Sequence, residues 1–261
     1  GLQRRPATRL YTSRNSMTLD PIFQLSNLLA LLIVLAGGFV RGYTGFGSGL
    51  VMAPLFAILW GPVDAVATTA GLGLLATVQL TASSVPLVNW RDVLPMLAAA
   101  ILLVPFGAAL LVSLDPDLVK KIIAILVMAM ALITIRGWTY RGPRGAVPSM
   151  ISGALSGFIN GISSVGGPAA VLYFLAIPDA ARIQRANIII VMGFTGMAVL
   201  VSLIIAGVVT ATVYINIGVL AIPSFAAVWL GARLFTVLPV RLFRLIVLWF
   251  LVVVSIAILA A

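Results

Sequence analysis

The chain contains no cysteine, no histidine and no glutamate; its six acidic residues are all aspartates. Without thiolates or imidazoles, disulfides and the usual zinc and haem ligand sets are excluded. So are Ser-His-Asp and Cys-His nucleophile arrangements. A rhomboid-type membrane protease would need a Ser–His pair, so Gly47-Ser48-Gly49 does not mark one. The sequence reads as a non-enzyme and calls for no cofactor and no metal. Charge is scarce as well: 8% of the 261 residues are charged and 62% are hydrophobic, where a soluble domain carries about 25% charged residues. Sixteen basic and six acidic side chains cannot cover a globule of this size, so much of the apolar surface must meet lipid. Continuous apolarity excludes a transmembrane β-barrel, whose strands alternate apolar and polar residues. Helices are then the remaining way to satisfy a backbone in lipid.

The formal charge of +10 is spread along the chain. Arg4, Arg5, Arg9 and Arg14 lie in a polar, aperiodic segment before Met17, which resembles a natural start site. Residues 1–16 read as a disordered tail or an expression remnant and are set apart from the fold. Nothing else supports a nucleic-acid partner.

Apolar segments run over residues 22–41, 44–60, 64–84, 94–113, 119–136, 150–177, 183–207, 213–232 and 240–261. Pro, Gly and charges cluster between them. The longest polar break, with Arg141, Gly142, Pro143, Arg144, Gly145 and Pro148, divides the chain into a first repeat (17–137), a basic linker (138–149) and a second repeat (150–261). The halves resemble each other. Gly38-Phe39-Val40-Arg41-Gly42 matches Gly157-Phe158-Ile159-Asn160-Gly161, and small residues follow both. Val104-Pro105-Phe106 resembles Ile222-Pro223-Ser224-Phe225, and Leu114-Asp115-Pro116 resembles Val237-Leu238-Pro239. The expected fold is an all-α polytopic membrane protein of two inverted repeats, each a Gly-broken helical hairpin plus about three transmembrane helices. With the C-terminus outside, the loops carrying Arg136, Arg141 and Arg144, Arg182 and Arg185, and Arg233, Arg241 and Arg244 all fall inside, as the positive-inside bias requires.

Gly-rich interruptions at matching places in two halves point to a transporter binding site, because broken helices at bilayer depth are tolerated only inside protein or beside water. Close helix packing through small residues is the other use of such glycines. Arg41 is the key side chain. A charge in an apolar helix is expensive and usually faces the bundle interior or a pathway, and guanidinium presents a planar fork suited to oxyanions. Snorkelling to an interface is the alternative. Half-helix N-termini would add positive potential. Around Arg41, the candidate substrate-binding residues are Gly42, Thr44, Gly45, Gly47, Ser48, Thr68, Gln79, Asn160, Gly161, Ser163, Ser164 and Asn187, with Thr69 beside them. Such a set suits sulfite, sulfonate or carboxylate. Asp64, at a helix start, reads as a cap, and Trp60, Trp90 and Trp138 as interface anchors.

The run Gly38-Phe39-Val40-Arg41-Gly42-Tyr43-Thr44-Gly45-Phe46-Gly47-Ser48-Gly49, the Ala67-Thr68-Thr69 that follows, and the second copy Gly157-Phe158-Ile159-Asn160-Gly161 resemble the TauE/SafE family, also called the 4-toluene sulfonate uptake permease family. The resemblance implies a bacterial inner-membrane carrier exporting sulfite, sulfoacetate or a related organosulfonate. The second copy departs from the first in having Pro168 and Asn187 where the first has Gly49 and Thr68. The implied partners are a small anionic substrate and the lipid bilayer; the sequence is compatible with a homodimer without arguing for one. Two other readings stand beside this. Thr44-Gly45-Phe46-Gly47 resembles a potassium-channel filter, though the second half has no matching sequence. A membrane assembly factor is the other.

Overall fold

The computed structural model describes residues 21–136, 140–166, 168–235 and 241–260. The N-terminal basic segment, Asp20, Trp138 and the Val237-Leu238-Pro239 match lie outside the described residues. The described residues form ten α-helices: α1 (Pro21–Thr44), α2 (Ser48–Trp60), α3 (Pro62–Ser84), α4 (Trp90–Ser113), α5 (Pro116–Ile135), α6 (Ala146–Ser163), α7 (Pro168–Ala176), α8 (Ala181–Ile205), α9 (Ala211–Leu234) and α10 (Arg241–Ala260). The described residues contain no strand.

Local chemistry sets the boundaries. Proline opens α3 and α5, where its missing N–H costs nothing. Asp115 caps α5 by accepting from the N–H groups of Asp117 (3.0 Å) and Leu118 (3.2 Å). Asp64 is not the cap expected of it: Gly61 holds that position and Asp64 lies in the first turn, where a carboxylate favours the helix dipole. The 150–177 segment divides into α6 and α7, and α6 begins at Ala146, inside the segment assigned to the linker.

Among the described residues, six helices (α1, α3, α4, α5, α8 and α9) are long and apolar enough to cross a membrane. The first arm of the first broken hairpin is thus itself of spanning length. With 13 residues in α2 and nine in α7, these two reach only about 20 and 14 Å at 1.5 Å per residue, short of the roughly 30 Å hydrocarbon core. In their most apolar stretches α3 is 67% buried and α8 50%, against 33% for α1 and 28% for α9. The pair α3–α8 therefore forms the centre. Leu28, Leu102, Phe106, Ile151, Ile205 and Ile222 point outward, as lipid-facing residues do.

The packing of the first five helices recurs in the last five. α1 crosses α9 as α6 crosses α4, and α3 meets both α8 and α9 as α8 meets both α3 and α4. Both long crossings are backbone-close. A Cβ on Gly42 would lie 2.1 Å from the Val228 carbonyl oxygen, and one on Gly161 would lie 2.4 Å from that of Val104. A Cβ on Gly231 would meet the Phe39 oxygen, and one on Gly107 the Phe158 oxygen, each at 2.2 Å. Val104 thus corresponds to Val228, not to Ile222 as the proline-based match has it.

Candidate functional site

The two interruptions have the same construction. The Gly45 N–H closes α1 on the Arg41 carbonyl (2.7 Å), and the Ser164 N–H closes α6 on the Asn160 carbonyl (2.8 Å). The Thr44 hydroxyl donates to the Val40 carbonyl (2.8 Å) and accepts from the Phe46 N–H (3.2 Å). Ser163 does the same with Ile159 (2.7 Å) and Val165 (3.3 Å). Each chain then turns through left-handed conformations, at Gly45 (φ 83°) and Gly47 (φ 89°) in one half and at Ser164 (φ 49°) and Gly166 (φ 88°) in the other. Asn160 ties the second turn down by accepting from the Gly166 N–H (3.0 Å).

The interruptions meet at the centre of the molecule. A Cβ on Gly49 would lie 1.8 Å from the Ser164 carbonyl oxygen, so only glycine permits the approach. Between them lies a cavity of about 20 Å³, lined by Arg41, Gly47, Ser48, Gly49, Asn160, Ser164 and Gly166 from the two breaks. Thr69, Ala70 and Gly73 of α3, and Met192 and Gly196 of α8, complete the wall. That volume admits about one water molecule. Among the described residues, no aromatic or acidic side chain contributes to the lining.

Arg41 is 5% exposed, so it does not snorkel. Its Nη2 donates to the Thr77 hydroxyl (2.6 Å) and its Nε has no hydrogen-bond partner. The single ion pair among the described residues joins Lys120 to Asp117, so Arg41 has no carboxylate beside it there. The Thr69 hydroxyl, 2% exposed, is also without a partner. Unpaired buried donors are costly, and a buried unpaired cation more so. These two residues border one cavity.

The other expected site residues are placed elsewhere. Gly42 and Gly161 are helical and serve the α1–α9 and α6–α4 crossings, the packing use of glycine. Thr44 and Ser163 spend their hydroxyls on closing their own helices. Gly45 forms the first turn against the side chain of Arg185. Arg185 donates from Nε to the Tyr43 carbonyl (3.2 Å) and from Nη2 to that of Gly42, and its guanidinium stacks over Phe235 at 4.8 Å. A cation is poorly placed near the start of α8 but well placed at the C-terminal carbonyls of α1. Thr68 is fully buried with an unpartnered hydroxyl but does not line the cavity. Asn187 accepts from the Asn89 N–H (2.9 Å), and Gln79 donates to the Phe225 carbonyl (3.2 Å). In the filter-like Thr44-Gly45-Phe46-Gly47, the Phe46 oxygen lies 2.5 Å from the Thr44 hydroxyl. Thr77, Ala70, Gly73, Met192 and Gly196 were not among the expected residues. Thr69, Gly73 and Thr77 recur every fourth residue along α3, a periodicity that marks one helix face.

The family model described as sulfite exporter TauE/SafE matches residues 29–258. The chain belongs to the TauE/SafE family. No curated protein and no solved structure matches it. Membership in this transporter family, together with the six apolar helices, makes the chain a multi-pass membrane protein of the sulfite-exporter type.

Proposed function

We propose that this TauE/SafE member exports a small sulfur oxyanion (sulfite, sulfoacetate or a related organosulfonate) through the central cavity where the two helix breaks meet. The observation that carries the reading is Arg41: a guanidinium buried at mid-molecule that lines the cavity, with no carboxylate against it among the described residues and its Nε without a hydrogen-bond partner. A fixed cation in a low-dielectric site attracts an anion far more strongly than it would in water, and guanidinium suits two oxygens of one oxyanion. Thr69 supplies a neutral donor, and Asn160, Ser48 and Ser164 bring further polar groups to the same wall. Net export follows from the family's character as an exporter.

The cavity is small, about 20 Å³, so an anion larger than one water passes through it with movement of the lining helices. The recurrence of α1–α5 packing in α6–α10 supports two repeats of inverted orientation, related across the α3–α8 pair. With the basic loops inside, the protein sits in a bacterial inner membrane with its C-terminus in the periplasm. Equilibrium binding of labelled sulfite to purified protein tests the site. Arg41→Ala abolishes binding while the protein still folds and purifies; unchanged affinity would remove Arg41 from the site.

A further inference from the structure

We propose that Thr77 is the positioning residue for Arg41, holding its guanidinium at Nη2 so that the unpartnered Nε is kept for the anion; this rests on the anion-binding role assigned to Arg41 above. Thr77 is 7% exposed and does not itself line the cavity. Its hydroxyl accepts from Arg41 Nη2 at 2.6 Å and donates to the Gly73 carbonyl at 2.9 Å. Donation to the carbonyl one turn back is ordinary for threonine in a helix, and Thr81 and Thr195 do the same. What distinguishes Thr77 is the second bond, which uses the oxygen lone pair on a charged donor and fixes one end of the guanidinium. Charge-assisted bonds of this kind are the stronger class. With Nη2 held by Thr77, Nε is the atom left without a partner.

Two further observations bear on this role. Thr77 is accommodated by a glycine on the facing helix, since a Cβ on Gly193 would lie 2.1 Å from Thr77 Cγ2 and 2.8 Å from its hydroxyl oxygen. The second half also serves as an internal comparison. At the spacing that pairs Arg41 with Asn160 and Thr68 with Asn187, Thr77 pairs with Gly196. The copy without the arginine also lacks the threonine, yet its helix is intact through that position. The fold therefore does not need a hydroxyl there, whereas Arg41 does.

The test is the concentration dependence of labelled sulfite uptake by the full-length protein in proteoliposomes. Thr77→Val keeps the shape against Gly193 and removes the hydroxyl. It raises KM by about tenfold or more, the worth of one hydrogen bond to a charged group, with little change in the maximal rate per folded protein. Thr77→Ser restores the KM. Gly193→Ala, which displaces Thr77 without altering its chemistry, shifts KM in the same direction and covers the case in which the valine variant does not fold. Unchanged KM in Thr77→Val or in Gly193→Ala, or failure of Thr77→Ser to restore it, overturns the positioning role while leaving Arg41 in place, provided Arg41→Ala has abolished saturable uptake. If Arg41→Ala leaves uptake unchanged, the anion-site reading fails and the positioning role fails with it.

Discussion

Replacing Gly49 with alanine perturbs the place where the two halves touch. The added Cβ would lie 1.8 Å from the Ser164 carbonyl oxygen, 2.8 Å from its carbon and 3.0 Å from Val165 Cα. Real Cβ contacts below 3.0 Å are essentially not seen, so the breaks must separate by about 1 Å. All three opposing atoms are backbone, so no side chain can rotate aside. Overpacking in a closed core costs about 1–3 kcal/mol, and a wall that cannot yield belongs at the upper end. At about 2–4 °C per kcal/mol for a chain of this size, unfolding of the purified protein falls by roughly 6–12 °C. Transport falls further, because Gly49, Ser164 and Arg41 border one cavity. Gly218→Ala is the control: it lies within α9 with nothing inside 4 Å of its Cβ, and alanine there is neutral or stabilising by up to about 1 kcal/mol. Equal unfolding temperatures for the Gly49 and Gly218 variants, with transport intact in both, would refute the contact between the breaks.

Gly42→Ala and Gly161→Ala push a Cβ to 2.1 and 2.4 Å from a carbonyl oxygen of the crossing helix; both lower the unfolding temperature by a similar amount, and a large difference between them would contradict equivalent crossings. Ser156→Ala leaves the Ala170 N–H, bonded at 2.6 Å, without its acceptor at the start of α7; the cost of about 1–3 kcal/mol is measured by thermal unfolding, and Ser156→Thr retains part of it. Asp115→Ala removes an exposed cap from α5 at about 1 kcal/mol, with transport unchanged once folded protein is matched.

Different physical signals made different parts of the molecule legible. The breaks could be located because glycine-rich runs interrupt an otherwise uniform apolar helix, and a single arginine there is conspicuous where charge is so expensive. Gly42 and Gly161 were harder, since a glycine that breaks a helix and one that admits a crossing helix are the same letter; only the Val228 and Val104 carbonyls against them decide. The proline match between α4 and α9 misled for a related reason. Crossing register is set by the small residues in contact, and a proline inside an apolar helix can lie on any turn without fixing it. Thr77 stayed hidden because its partner is 36 residues away and its own pattern is that of a helix-packing threonine. Gln79 and Asn187 are polar residues of central helices, but their carbonyl and amide groups meet neighbouring backbone, which a list of polar residues does not reveal.

Uptake of labelled sulfite into proteoliposomes, with sulfoacetate, sulfate and acetate as competitors and Arg41→Ala alongside, tests the central claim most directly. The account predicts saturable flux competed by the sulfonate and lost in the Arg41 variant despite folded protein in the vesicles. Flux that never saturates, or that is the same with and without the Arg41 side chain, would contradict an anion site at the meeting of the two breaks.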